Sequence, residues 1–158
     1  MFDGVEPSLG TVYVSPGQVV ATAEPSRLKT VLGSCVSVTL FDVRARAGGL
    51  NHFLLPGKAP DGSPERYGQG ALDTLLARLL RLGCTTKNLQ AGVFGGACVL
   101  RELADLMHLG QRNVAFALNW LEHEQIEIVA RDVLGKQARR LELSVADGST
   151  HVRLLGDS

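Results

Sequence analysis

The sequence predicts an α+β fold, with layered mixed β-sheets flanked by two long helices. Three observations predict it. Short β-rich runs crowd the first third of the chain. Two later stretches carry apolar residues at helical spacing. Strands and helices then fail to alternate as a doubly wound parallel sheet would require. The chain has 158 residues, 45% hydrophobic and 20% charged, the size and balance of a single packed domain spanning 1–158.

The elements follow in order. Residues 11–14 and 18–22 are β-rich and separated by Ser15-Pro16-Gly17, a turn signal. A strand is expected over 35–42, where Val36, Val38 and Leu40 alternate with small polar residues, and another over 48–55. The run from Pro56 to Arg66 holds three prolines and two glycines and reads as a surface loop. Residues 67–82 form the clearest helix. Leu72, Leu75, Leu76 and Leu79 stripe one face, arginines come late, and Gly83 is placed to end it. A buried strand is expected over 89–94, a short helix over 99–107 and an amphipathic helix over 113–124 with Asn113 as its N-cap. Strands over 126–132, 138–145 and 150–155 complete the chain, the last two joined through Asp147-Gly148.

Composition excludes several function classes. Lys+Arg and Asp+Glu both number 16, so nothing in the charge balance favours nucleic acid or an anionic membrane. Aromatics at 5% argue against a base-stacking platform. No apolar run is long enough for a membrane-spanning helix, and the acidic Met1-Phe2-Asp3 start is unlike a secretory signal, so a cytoplasmic protein is expected. Cys35, Cys84 and Cys98 are odd in number and lack C-x-x-C spacing, which disfavours a disulfide framework or zinc site. His108, His123 and His151 have no partners at ligand spacing, so no metal or other cofactor is expected. Cys84 and Cys98 read as packing residues. Arg131, Arg139 and Arg140 read as a solvated charged face or a basic patch.

One pair suggests chemistry. Cys35 shares its side of the 35–42 strand with Ser37 and Thr39, not with the valines. If Asp42-Val43-Arg44-Ala45 is a tight turn with Asp42 facing Ala45, Cys35 falls opposite His52, with side chains on one face. A bulge at Gly48-Gly49 would turn His52 to the other face. An imidazole beside a thiol removes its proton, stabilises the thiolate and later protonates a leaving amine. Gly33 and Ser34 permit an unusual backbone whose amides can face a developing oxyanion. The second imidazole nitrogen needs a holder. Thr30 is near in sequence, whereas Asn51 should point to the other face. A buried cysteine and a hydrogen-bonded histidine with no chemistry remain the alternative on pattern alone.

Taken together, the ordered segments resemble a known family. Leu32-Gly33-Ser34-Cys35-Val36-Ser37-Val38 and Gly48-Gly49-Leu50-Asn51-His52-Phe53-Leu54-Leu55-Pro56 are followed by Arg66-Tyr67-Gly68, Phe94-Gly95-Gly96-Ala97 and Gly110-Gln111-Arg112-Asn113-Val114. This set resembles CheD, the chemoreceptor glutamine deamidases of bacterial chemotaxis. The resemblance implies hydrolysis of glutamine side-chain amides on methyl-accepting receptors by a catalytic Cys35, His52 and Thr30. It implies a fold similar to bacterial toxin cysteine deamidases, and a possible CheC-type phosphatase partner that a non-catalytic binding module would regulate. Gly33, Ser34, Phe94, Gly95 and Gly96 are the expected substrate-binding wall. Phe94 to Ala97 alternatively form no more than a strand ending in a tight turn. Gln111 stands where the family pattern has an acidic residue, and Asp132-Val133-Leu134-Gly135 lacks a second glycine.

Overall fold

The computed structural model of the chain describes residues 10–99 and 104–156, with backbone alone for 104–107. Nine strands and two α-helices appear among them: β1 Gly10–Tyr13, β2 Val19–Thr22, β3 Ser26–Leu32, β4 Val36–Asp42, β5 Ala47–Asn51, α1 Gly68–Arg81, β6 Leu89–Gly95, α2 Ala104–Glu124, β7 Glu127–Val133, β8 Arg139–Ser144 and β9 Thr150–Leu154. They form two mixed sheets. One has the order β1-β3-β8-β9, the other β2-β5-β4-β6-β7. Parallel pairing occurs at β1–β3 and β6–β7, and the remaining pairs are antiparallel.

The two cores define three layers. Leu28, Leu32, Leu141 and Leu143 of the four-stranded sheet pack against Phe41, Leu50 and Phe94 of the five-stranded sheet. On its other face the five-stranded sheet buries Val36, Val38 and Leu40 against Leu72, Leu75 and Leu79 of α1 and Val114, Ala117 and Leu121 of α2. The expected α+β class with two flanking helices therefore holds, both helices lying on one side. Covered on both faces, β4 is buried at every position, whereas β3 alternates buried with exposed or half-buried residues. The polar side of β4 thus faces the second sheet, not solvent.

Four features depart from expectation. First, Ser26–Leu32 forms a strand, β3, that was not expected, with Leu28, Thr30 and Leu32 inward and Arg27, Lys29 and Val31 outward. Second, Asp42 pairs with Ala47, not Ala45. Its carboxylate accepts from the amides of Arg44 and Ala45 (both 2.9 Å), and Arg46 takes φ 58°, so four residues make the turn. Gly48 and Gly49 pair regularly with Phe41 and Leu40, without a bulge.

Third, the region read as a short helix followed by a second one is a single helix from Ala104, with residues 100–103 outside the described part. Gly110 sits inside that helix because its backbone lies directly on the turn after β6. A Cβ at Gly110 would stand 2.3 Å from the Gly96 carbonyl oxygen. Asn113 is therefore mid-helix and not an N-cap. Fourth, Arg139 and Arg140 do not share a patch. Arg139 is buried, its guanidinium donating to the Asp132 side chain and to the Asp132 and Leu134 carbonyls, while Arg140 is exposed. Helix α1 ends as expected, with Gly83 at φ 97°.

Candidate active site

His52 follows the last residue of β5. Its amide donates to the Gln18 carbonyl (3.2 Å), and its carbonyl accepts from Gly17 (2.8 Å), so the segment ahead of β2 fixes its backbone. On the other side, the Asn51 side-chain oxygen replaces one ladder bond by accepting from the Val38 amide (2.9 Å). Pairing with β4 resumes at Val36–Phe53, with bonds of 3.1 and 3.0 Å.

The register from Thr39–Leu50 through Val36–Phe53 is constant, which puts Ser37 opposite His52 and Cys35 diagonal to it. The two-residue error in turn length preserves parity, so Cys35 and His52 project from the same face, toward the other sheet. Diagonal partners on an antiparallel ladder lie roughly 7–8 Å apart, and less at Cβ, a gap an imidazole can span.

Thr30, on the inward side of β3, meets His52 from the opposing sheet. Its Oγ1 lies 2.8 Å from His52 Nδ1 and 2.7 Å from the Val14 carbonyl oxygen. A hydroxyl has one proton, and the carbonyl can only accept. Thr30 therefore donates to Val14 and must accept from Nδ1–H. That fixes the tautomer: Nδ1 carries the proton, and the Nε2 lone pair is left as an acceptor. Burial pushes the imidazole down to about 4, against a smaller opposing pull from the Val14 carbonyl. The thiol of half-buried Cys35 is pushed up by burial, partly offset by its own amide and by the Arg66 guanidinium. At neutral pH the pair rests as thiol and neutral imidazole.

The turn bearing Cys35 is held from outside. The Gly33 carbonyl accepts from Ala97 N (2.9 Å), that of Ser34 from Asn113 Nδ2 (3.0 Å), and that of Cys35 from Gly96 N (2.8 Å). In a trans peptide the following N–H points opposite to the carbonyl. The amides of Ser34 and Cys35 are therefore turned away from β6 and α2. Gly95, at φ 107°, allows this close approach, since a Cβ there would stand 2.2 Å from the Cys35 oxygen. Phe94 is buried between the sheets, so beside Cys35 the segment offers the backbone of Gly95 and Gly96.

Asn113 was missed as a site residue. Fully buried, it donates through Nδ2 to both Ser34 O and Leu54 O (3.0 Å each), tying the cysteine turn to the segment just beyond His52. Its spacing to Ala117 and Trp120, on the apolar face of α2, was the available signal.

A cavity of about 270 Å³ opens where the chain leaves β1, and Thr30, His52, Tyr13, Lys29 and Arg140 help line it. Cys35 does not. Cys84 is buried in the helix-side core, its thiol pushed up to about 11 by burial and the Asp42 charge. Among the described residues no three His, Cys, Asp or Glu side chains converge to hold a metal, and no helix is long and apolar enough to cross a membrane.

A family model described as CheD chemotactic sensory transduction matches residues 54–154. A "Probable chemoreceptor glutamine deamidase CheD 1" from Anaeromyxobacter dehalogenans is 42% identical over 144 residues, covering 91% of this chain and 84% of that protein.

The chain belongs to the CheD family.

A "Probable chemoreceptor glutamine deamidase CheD" from Rhodospirillum rubrum is 41% identical, covering 94% of this chain and 84% of its own length. For a third CheD relative, from Albidiferax ferrireducens, the figures are 41%, 93% and 62%. Among solved structures, the crystal structure of Neisseria meningitidis protein NMB0706 (DUF152) aligns with TM-score 0.46 and 10% identity, covering 94% of this chain and 76% of that one. The CheD family model's match starts just after His52, so Thr30, Cys35 and His52 lie outside the matched range.

Proposed function

We propose that this CheD-family chain hydrolyses glutamine side-chain amides on chemoreceptors to glutamate and ammonia, with Cys35 as nucleophile, His52 as acid–base and Thr30 as the residue that orients the imidazole. Nε2 of His52 takes the thiol proton as sulfur attacks the amide carbon. The outward amides of Ser34 and Cys35 receive the charge that develops on the carbonyl oxygen, while the Gly95-Gly96 backbone supports the turn from behind. The imidazolium passes its proton to the departing nitrogen, which leaves as ammonia. Water, deprotonated by the same imidazole, then cleaves the thioester.

The observation that carries this reading is the hydroxyl of Thr30, bonded to both Val14 O and His52 Nδ1. It leaves the imidazole with its basic nitrogen unprotonated, on a residue sharing a sheet face with Cys35. The family and the names of its relatives supply the substrate class.

The test is incubation of a purified receptor cytoplasmic fragment with wild-type protein or Cys35→Ala, followed by mass spectrometry. Wild type should add about one mass unit per converted glutamine, as amide becomes carboxyl, and the variant none. Equal conversion by both would remove Cys35 from the reaction.

A further inference from the structure

The outer face of the β1-β3-β8-β9 sheet carries charge that folding alone does not explain. Alternation turns Arg27, Lys29 and Val31 of β3 outward, with Arg140 and Glu142 of β8 beside them. Val31, Arg140 and Arg153 form one row across β3, β8 and β9. Glu142 serves both Arg27 (3.8 Å) and Lys29 (3.6 Å). Among the described residues no carboxylate lies within ion-pair distance of Arg140 or Arg153. These two stand directly opposite each other on antiparallel strands, an arrangement of like charges that destabilises a sheet. The whole chain is formally neutral, so four cations around one carboxylate are a segregated patch. Exposed apolar surface adjoins it, at Val31 (50%) and Tyr13 (71%).

The patch abuts the candidate site. Lys29 and Arg140 line the same cavity as Thr30 and His52, and Val31 lies at the end of β3 that leads into the Cys35 turn. We propose that this face docks an acidic, partly apolar segment of the protein substrate and so presents its glutamine to Cys35. The inference rests on the deamidase reading for the identity of the partner. An anionic partner relieves the Arg140–Arg153 repulsion and gains charge complementarity, while Val31 and Tyr13 supply apolar contact.

The test compares Arg140→Glu/Arg153→Glu with Arg81→Glu/Lys87→Glu, which makes the same charge change outside this sheet. Binding of a receptor cytoplasmic fragment is measured in a Cys35→Ala background, and turnover with Cys35 intact. The first pair should weaken binding about tenfold or more at low salt, with KM rising in step, and should erase most of the salt dependence seen in the parent. Arg140→Gln/Arg153→Gln should fall between, and far-UV circular dichroism checks folding. Parental affinity and salt dependence in the reversed variant, equal losses in both pairs, or no binding by the parent would overturn the docking face. Binding that obeys these expectations without any turnover would uphold the face and defeat the deamidase reading instead.

Discussion

Thr30 and His52 are held by the sheets themselves, whereas Cys35 is held by residues far along the chain. Thr30 lies within a strand paired on both sides, and His52 is bonded through its backbone to the segment ahead of β2. Cys35 stands on the connection between the two sheets, where three successive carbonyls are tied to Gly96, Ala97 and Asn113. The proposed base is fixed by backbone bonds at the end of a paired strand. The turn of the proposed nucleophile is irregular backbone, satisfied by donors from α2 and from the segment at the end of β6. The difference locates the site's vulnerability in α2, a helix that carries none of the three proposed chemical groups.

Asn113→Ala breaks the second arrangement and should have the largest effect. It leaves two part-buried carbonyls without their donor, for an expected loss of about 2–4 kcal/mol, read as a lower urea midpoint, with deamidation impaired at temperatures where the variant is still folded. A normal midpoint with normal turnover would show that the turn holds itself.

Acid acts on the first arrangement. His52 is depressed to about 4 in the folded protein against about 6.5 when unfolded. Above pH 6.5 both states are neutral and stability is complete. As pH falls toward 4 the unfolded chain binds the proton first, so stability declines, by about 2–3 kcal/mol at pH 4.5. Denaturant midpoints at pH 7 and 4.5 should differ by that much more in wild type than in His52→Gln.

Thr30→Val keeps the shape of the side chain but removes the partner of Nδ1, freeing the imidazole to change tautomer. Deamidation should fall about 10–100-fold, mainly in kcat. Unchanged turnover would leave His52 adequately held by its backbone alone.

How much of this could be read beforehand depends on which force set each element. Helix α1 was legible because its leucine stripe, late arginines and Gly83 all agree. The shared face of Cys35 and His52 was legible because strand parity survives a two-residue error in the turn. Strand β3 was obscured because its inward face includes Ser26 and Thr30, polar residues that read as outward-facing. In α2, Gly110 disfavours helix by propensity, yet packing of backbone on backbone at Gly96 prevails. Asn113 has the residue type of a cap, and only its two distant carbonyl acceptors identify it as a buried strut.

The bond from Asn113 to Ser34 spans 79 positions of sequence. A growing polypeptide that has already emerged with its sulfur and its imidazole therefore still lacks the piece that shapes the ground between them. Until the second helix is synthesised and seated, such a nascent chain should be chemically silent, so that hydrolysis begins only once that helix is in place.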